Sequence, residues 1–177
     1  MNMRFHRAHT SPSSGFTLVE LLVYIGILTL ALVSIVVLLT NATKIVNRVK
    51  EVKEVRSSAL MVLDRLDREI KKSTSVIVAE SVLSATPGSL TLQSVDEGGS
   101  PREVMFALNG DDDIALYYDG ASRGALTSEE VIVNEMIFYH VENILSESAV
   151  VKIILSHRDA PTKTETFYLT AVLRGSY

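Results

Sequence analysis

Gly15-Phe16-Thr17-Leu18-Val19-Glu20 sets a carboxylate at the lip of nineteen residues without a charge, Leu21 to Leu39. An acid at the edge of a membrane-length apolar run is expensive to desolvate and needs a reason. One reason is local. Thr17-Leu18-Val19-Glu20 matches a capping box, in which the Thr and Glu side chains satisfy free backbone N–H groups at a helix start. The same carboxylate meets the favourable end of the helix dipole. Elsewhere, residues able to do chemistry are sparse. Asp111-Asp112-Asp113 offers oxygen ligands for calcium but lacks the ordered spacing and later glutamate of a known loop, and it reads as a solvated turn. His140 and His157, the only histidines after residue 15, have no ligand spacing and read as ordinary strand or surface residues. With no cysteine, a disulfide, a thiolate metal site and a cysteine nucleophile are excluded. There is no nucleophile elbow, phosphate loop or paired-carboxylate constellation. The expectation is a non-enzyme with no cofactor and no metal.

The elements that position Glu20 come next. Arg4 and Arg7 are the only Lys or Arg in residues 1–15, and no acid lies there. A polar stretch, Thr10-Ser11-Pro12-Ser13-Ser14, leads into Gly15. A secretory signal peptide places its small-residue cleavage site after the apolar stretch. Here the small residue comes before it. The run is also close to the roughly 20 residues that span a bilayer as helix, so the segment reads as retained. Asn41-Ala42-Thr43 fits a glycosylation triplet but lies against the expected membrane surface, where a chance match is the better reading. Gly26 would allow close helix packing, on the weak evidence of one glycine.

The segment Gly15 to Glu20 with its apolar continuation resembles the cleavage and methylation signal of type IV prepilins. Gly15 matches the residue before the scissile bond, Phe16 the residue that is N-methylated, and Glu20 the expected acid. The close resemblance covers residues 15–40. It implies removal of the leader 1–15 by a prepilin peptidase, which would leave Phe16 with a positive amine and shift the formal charge from −4 to −6. Four residues on, Glu20 would share a helix face with that amine. In the family this glutamate is thought to meet the N-terminal amine of a neighbouring subunit, a pairing that would be strong in low dielectric. The resemblance implies other pilin or pseudopilin subunits, an inner-membrane assembly platform and the lipid bilayer as partners. It also implies a single pass with the N-terminus inside, then a pilus or pseudopilus at the cell surface or in the periplasm. The count of Lys44, Arg48, Lys50, Lys53 and Arg56 against Arg4 and Arg7 points to the opposite topology by charge alone.

No proline occurs between Pro12 and Pro87, whereas major pilins usually carry one in the membrane helix. Leu63-Asp64-Arg65-Leu66-Asp67-Arg68-Glu69-Ile70 resembles J-type minor pseudopilins of type II secretion and some minor pilins of competence systems. The expected role is therefore a minor pilin or pseudopilin subunit of a type IV pilus, secretion or competence fibre. The alternative is a single-pass anchor carrying an extracytoplasmic β-rich binding domain. No stripe of Lys and Arg with interleaved aromatics is present, so nucleic acid is not an expected partner.

The remaining 137 residues, from 41 to 177, predict an α+β unit. Ile45, Val49, Val52, Val55, Ala59, Leu63, Leu66 and Ile70 recur in steps of three or four and form one face of a helix. Asp64 with Arg68, and Asp67 with Lys71, are acid-before-base pairs four apart. No breaker separates this stretch from the membrane run. One helix from 17 to 72 is expected, roughly 84 Å at 1.5 Å per residue, spanning a membrane segment 16–40 and an amphipathic half 41–75. The period then becomes two through residues 76–177. Strands are expected around Leu90–Gln93, Val104–Leu108, Ile114–Tyr118, Val131–Val133, Met136–Val141, Val150–Leu155 and Thr166–Leu173. Turn signals lie at Pro87-Gly88, Gly98-Gly99-Ser100-Pro101, Asn109-Gly110-Asp111, Asp119-Gly120 and Ala160-Pro161. The predicted fold is pilin-like, with the second half of a long N-terminal helix packed on an antiparallel sheet.

Overall fold

A computed structural model describes residues 15–96, 98–143 and 146–174; of the expected leader 1–15, all but Gly15 lies outside the described residues. The chain divides into two units, Met1–Val46 and Asn47–Tyr177. Helix α1 runs without interruption over Leu18–Lys72. Its sequence explains the continuity, because it contains no proline and a single glycine, Gly26. In the first unit α1 is apolar all round and exposed on every side. It contains a window of mean hydropathy 2.9, long and apolar enough to cross a membrane. The four aliphatic hydroxyls there turn back on the helix. Thr29 donates to the Gly26 carbonyl at 2.8 Å, Ser34 to Leu30 at 2.9 Å, Thr40 to Val36 at 2.8 Å and Thr43 to Leu39 at 2.9 Å. In lipid, where water cannot satisfy a hydroxyl, this is the cheapest arrangement.

In the second unit α1 becomes one-sided. Val55, Ala59, Val62, Leu66 and Ile70 are buried, at intervals of three and four. The stripe is thus as expected from Val55 onward, with Val62 in place of Leu63 as the deepest residue on its turn. Ile45 and Val49 belong to the same period but are exposed. Acids and bases four apart lie outside the stripe, with Asp64–Arg68 and Asp67–Lys71 pairs both at 2.7 Å. Lys71 and Lys72 suit the negative end of the helix dipole. The helix stops where the Ser73 hydroxyl bonds the Glu69 carbonyl at 2.7 Å.

Among the described residues eight strands follow, all paired antiparallel. They are β1 (Ser75–Val76), β2 (Leu90–Val95), β3 (Pro101–Leu108), β4 (Ile114–Tyr118), β5 (Ala121–Ala125), β6 (Val131–Glu142), β7 (Glu147–His157) and β8 (Ala160–Val172). They form two sheets rather than the single one expected: β1-β2-β3-β4-β5 and β6-β7-β8, each a meander in chain order. Alternation places Leu90, Leu92, Val104, Phe106, Ile114 and Leu116 inward from the first sheet, and Met136, Phe138, Val151, Ile153 and Leu155 from the second. These side chains share one core with the α1 stripe. The protein is therefore α+β, a long apolar N-terminal helix followed by antiparallel sheets.

Two expected strands, Val131–Val133 and Met136–Val141, are one strand, because a register shift between Val133 and Glu135 absorbs the break in alternation. Asp119 and Gly120, with φ of 49° and 76°, make the two-residue β4–β5 hairpin, in the left-handed conformation such turns need. The β7–β8 turn falls on Arg158-Asp159 rather than Ala160-Pro161. Pro161 is the second residue of the edge strand β8, where a missing N–H is tolerated.

Gly88 is wedged beside β6, and its N–H bonds the Met136 carbonyl at 2.8 Å. A Cβ there would lie 2.9 Å from the Met136 oxygen, 3.0 Å from the Ala85 oxygen and 3.2 Å from the Phe138 ring. Gly88→Ala is expected to destabilise the second unit by roughly 1–3 kcal/mol, as overpacking does. A thermal melt of the variant superimposing on the wild type would contradict that close approach.

Candidate functional site

The sequence-predicted site lies at the start of α1. Gly15, Phe16 and Thr17 precede the helix, and Leu18 opens it. Gly15 is exposed, with nothing within 4 Å of where a Cβ would sit, so the Gly15–Phe16 peptide bond is accessible. Phe16 is 71% exposed, and its ring lies 5.6 Å from that of Tyr24 at an interplanar angle of 53°. Thr17 caps the helix. Its hydroxyl accepts the Glu20 N–H at 3.3 Å, and its carbonyl accepts the Leu21 N–H at 3.1 Å.

This is one half of the capping box read from the sequence. The other half, a bond from the Glu20 carboxylate back to the Thr17 amide, is absent among the described residues. The Glu20 carboxylate has no hydrogen-bond or ion-pair partner there and is exposed. Capping thus occupies the Glu20 backbone and leaves its side chain free. Chemically, the segment offers an open peptide bond and, one helical turn on, an unengaged anion beside a lipid-length apolar surface.

Other singled-out residues are engaged in the fold. The Asn109 side chain accepts the Asp111 and Asp113 N–H groups, both at 2.9 Å, and the Asp113 carboxylate accepts a hydrogen bond from Thr127 at 3.1 Å. The aspartate triplet is an Asn-anchored turn whose third member is tied inward. His140 meets Glu147 at 2.8 Å, and the same Glu147 oxygen accepts the Val76 N–H at 2.7 Å. His157 is buried and meets Glu54 on α1 at 2.9 Å, while its Nδ1 accepts the Asp159 N–H at 3.1 Å. That acceptance requires an unprotonated Nδ1, so the Nε2–H is the donor to Glu54. His157 links segments 103 residues apart, while His140 pairs across the β6–β7 hairpin, and neither period nor spacing marks such a pairing.

A further cluster centres on an ion pair that also spans four residues but runs base before acid. Arg65 lies 2.9 Å from Glu69, which is 2% exposed. The Tyr118 hydroxyl donates to Glu69 at 2.9 Å and accepts from Arg65. The Arg102 guanidinium stacks over the Tyr118 ring, 4.1 Å from its centroid. Burial, followed by the hydrogen bond to Glu69, pushes the Tyr118 phenol above its usual range against the opposing pull of Arg65 and Arg102. The phenol therefore stays a donor, and the triad fastens α1 to β4. On neighbouring β3, partial burial and then the Glu80 carboxylate hold Glu103 above the ordinary carboxylate range. Comparison with family models, with curated proteins and with solved structures returned no match at a significant level.

Proposed function

We propose that this chain is a minor pilin-like or pseudopilin-like subunit, processed at Gly15–Phe16 and assembled through the apolar half of α1. One observation carries the reading. A single helix is exposed all round over eighteen and more apolar residues and buried on one face from Val55 to Ile70, and at its start the Glu20 carboxylate has no partner among the described residues. The buried half holds the β domain. The exposed half has nothing to bury against except lipid or other apolar helices. A free carboxylate at that boundary calls for a cation, and a new amine on Phe16 of a neighbouring copy would supply it. The partners this reading requires are a prepilin peptidase, other subunits of the same type, an assembly platform and the bilayer. A single-pass anchor with a β-rich binding domain accounts for the apolar helix equally well but leaves Glu20 and Gly15 without a role.

The test is intact-mass analysis of the chain from cells that contain or lack an active prepilin peptidase. Loss of Met1–Gly15, with one methyl group on Phe16, is expected only in the competent cells. A chain still beginning at Met1 in those cells would defeat the proposal and favour the anchor.

A further inference from the structure

A second site lies on the β domain, far in sequence from the N-terminal segment. Beside the Arg65–Glu69–Tyr118 triad is a cleft of about 690 Å³, lined also by Lys72, Arg102 and Arg174. Two carboxylates share its wall, but both are already occupied. Glu69 is held by Arg65 and Tyr118. Asp96 accepts the N–H groups of Gly98 at 2.9 Å and Ser100 at 2.8 Å, closing the β2–β3 turn. Among the described residues, the side chains of Lys72 and Arg174 have no partner, and Arg102 touches only the Tyr118 ring. The Nε–H groups of Arg65 and Arg102 are both buried without an acceptor. Buried donors are almost always paired in folded proteins, so two unpaired guanidinium N–H groups behind one cleft leave its wall short of acceptors. Among the described residues the cleft thus holds four cations against two engaged anions, in a chain whose formal charge is −4.

We propose that this cleft binds an acidic segment of a partner protein, its carboxylates held by the forks of Arg102 and Arg174 and by Lys72. Guanidinium groups match carboxylates in a two-bond fork, and an ammonium adds a point charge. The cleft suits a peptide better than a nucleic acid. Tyr118, its aromatic, is already covered by Arg102 and approached by Arg123 at 5.3 Å, so it offers no free face for a base. Glu69 and Asp96 interrupt the positive wall and would repel a continuous phosphate backbone. A peptide can turn backbone N–H groups toward them, which a phosphate backbone lacks. This assignment stands apart from the processing of Gly15–Phe16, and either can fail without the other.

The experiment uses the full chain in non-ionic detergent micelles and fluorescein-labelled hexaglutamate as the probe, read by fluorescence anisotropy. Saturable binding with a Kd on the order of 0.1–1 mM is expected, since the contacts are few and solvated. It should weaken as salt is raised, because exposed charges are screened. The double variant Arg102→Gln/Arg174→Gln should weaken it about tenfold, as losing two charged contacts implies. Lys163→Gln, outside the cleft, should leave it unchanged. Thermal melting of each variant establishes that the fold is intact, and Lys72→Gln, on an exposed helix end, gives a second reading if Arg102 proves needed for stability. Equal binding by wild type and charge variants, or no saturation, would overturn the proposal. So would displacement by equimolar inorganic phosphate, or tighter binding of hexathymidylate than of hexaglutamate.

Discussion

Glu20→Val is expected to leave the chain in the membrane fraction and open to cleavage, yet to lower its recovery in sheared fibres by about tenfold or more. The argument follows from desolvation. In the proposed assembly a charged amine on Phe16 of one subunit enters an apolar environment beside Glu20 of another. Removing the carboxylate strands the amine, and an uncompensated charge in low dielectric costs several kcal/mol. About 1.4 kcal/mol already shifts an equilibrium tenfold. Valine is apolar and of moderate size, so the helix keeps its membrane affinity. Thr17 still caps the helix, because the Glu20 backbone N–H and not its side chain makes that bond. Anchoring and assembly should therefore separate in this variant. Equal amounts of mutant and wild type in the sheared fraction would remove the pairing role proposed for Glu20. Loss of the mutant from the membrane fraction would show instead that the carboxylate serves insertion.

Phe106→Ala is expected to cost about 3–5 kcal/mol, the usual range for deleting a buried aromatic ring. Phe106 is fully buried on β3 and stands directly opposite Leu90 on β2 and Leu116 on β4. Both neighbours would lose their contacts on that side, and neither strand can move inward without breaking its ladder. Such a loss is a large share of the roughly 5–15 kcal/mol that stabilises a typical domain. Urea unfolding followed by far-UV circular dichroism should show a lower midpoint at unchanged slope. A loss below about 1 kcal/mol would mean that the two sheets close over the gap, contrary to tight packing.

The parts of this fold that were legible in the sequence are those written in one period. The α1 stripe from Val55 to Ile70 follows from three- and four-residue steps, and β2, β3, β4, β7 and the end of β8 follow from alternation. Ile45 and Val49 keep the helical period but find no sheet to cover them, since period reports a face and not what lies opposite. β5, Ala-Ser-Arg-Gly-Ala, has no β-branched or aromatic residue and is exposed throughout; the Asp119-Gly120 hairpin and pairing with β4 make it a strand. The division into two sheets is a tertiary choice that alternation does not encode. At the N-terminal segment, Thr17 as a cap was readable from residue type. The ties Glu54–His157 and Glu69–Tyr118 were not, because each joins residues brought together only by the finished fold, and Glu147–His140 depends on the β6–β7 register.

The inward-turned hydroxyls of the apolar half of α1 bear on how such rods could fit side by side. Thr29, Ser34, Thr40 and Thr43 spend their protons on their own backbone, so those four offer a neighbour no donor. Slipping one rod along another by a turn would break no lateral key. Axial stagger in an assembly of these rods would then rest chiefly on Glu20, the main detent on a nearly smooth shaft.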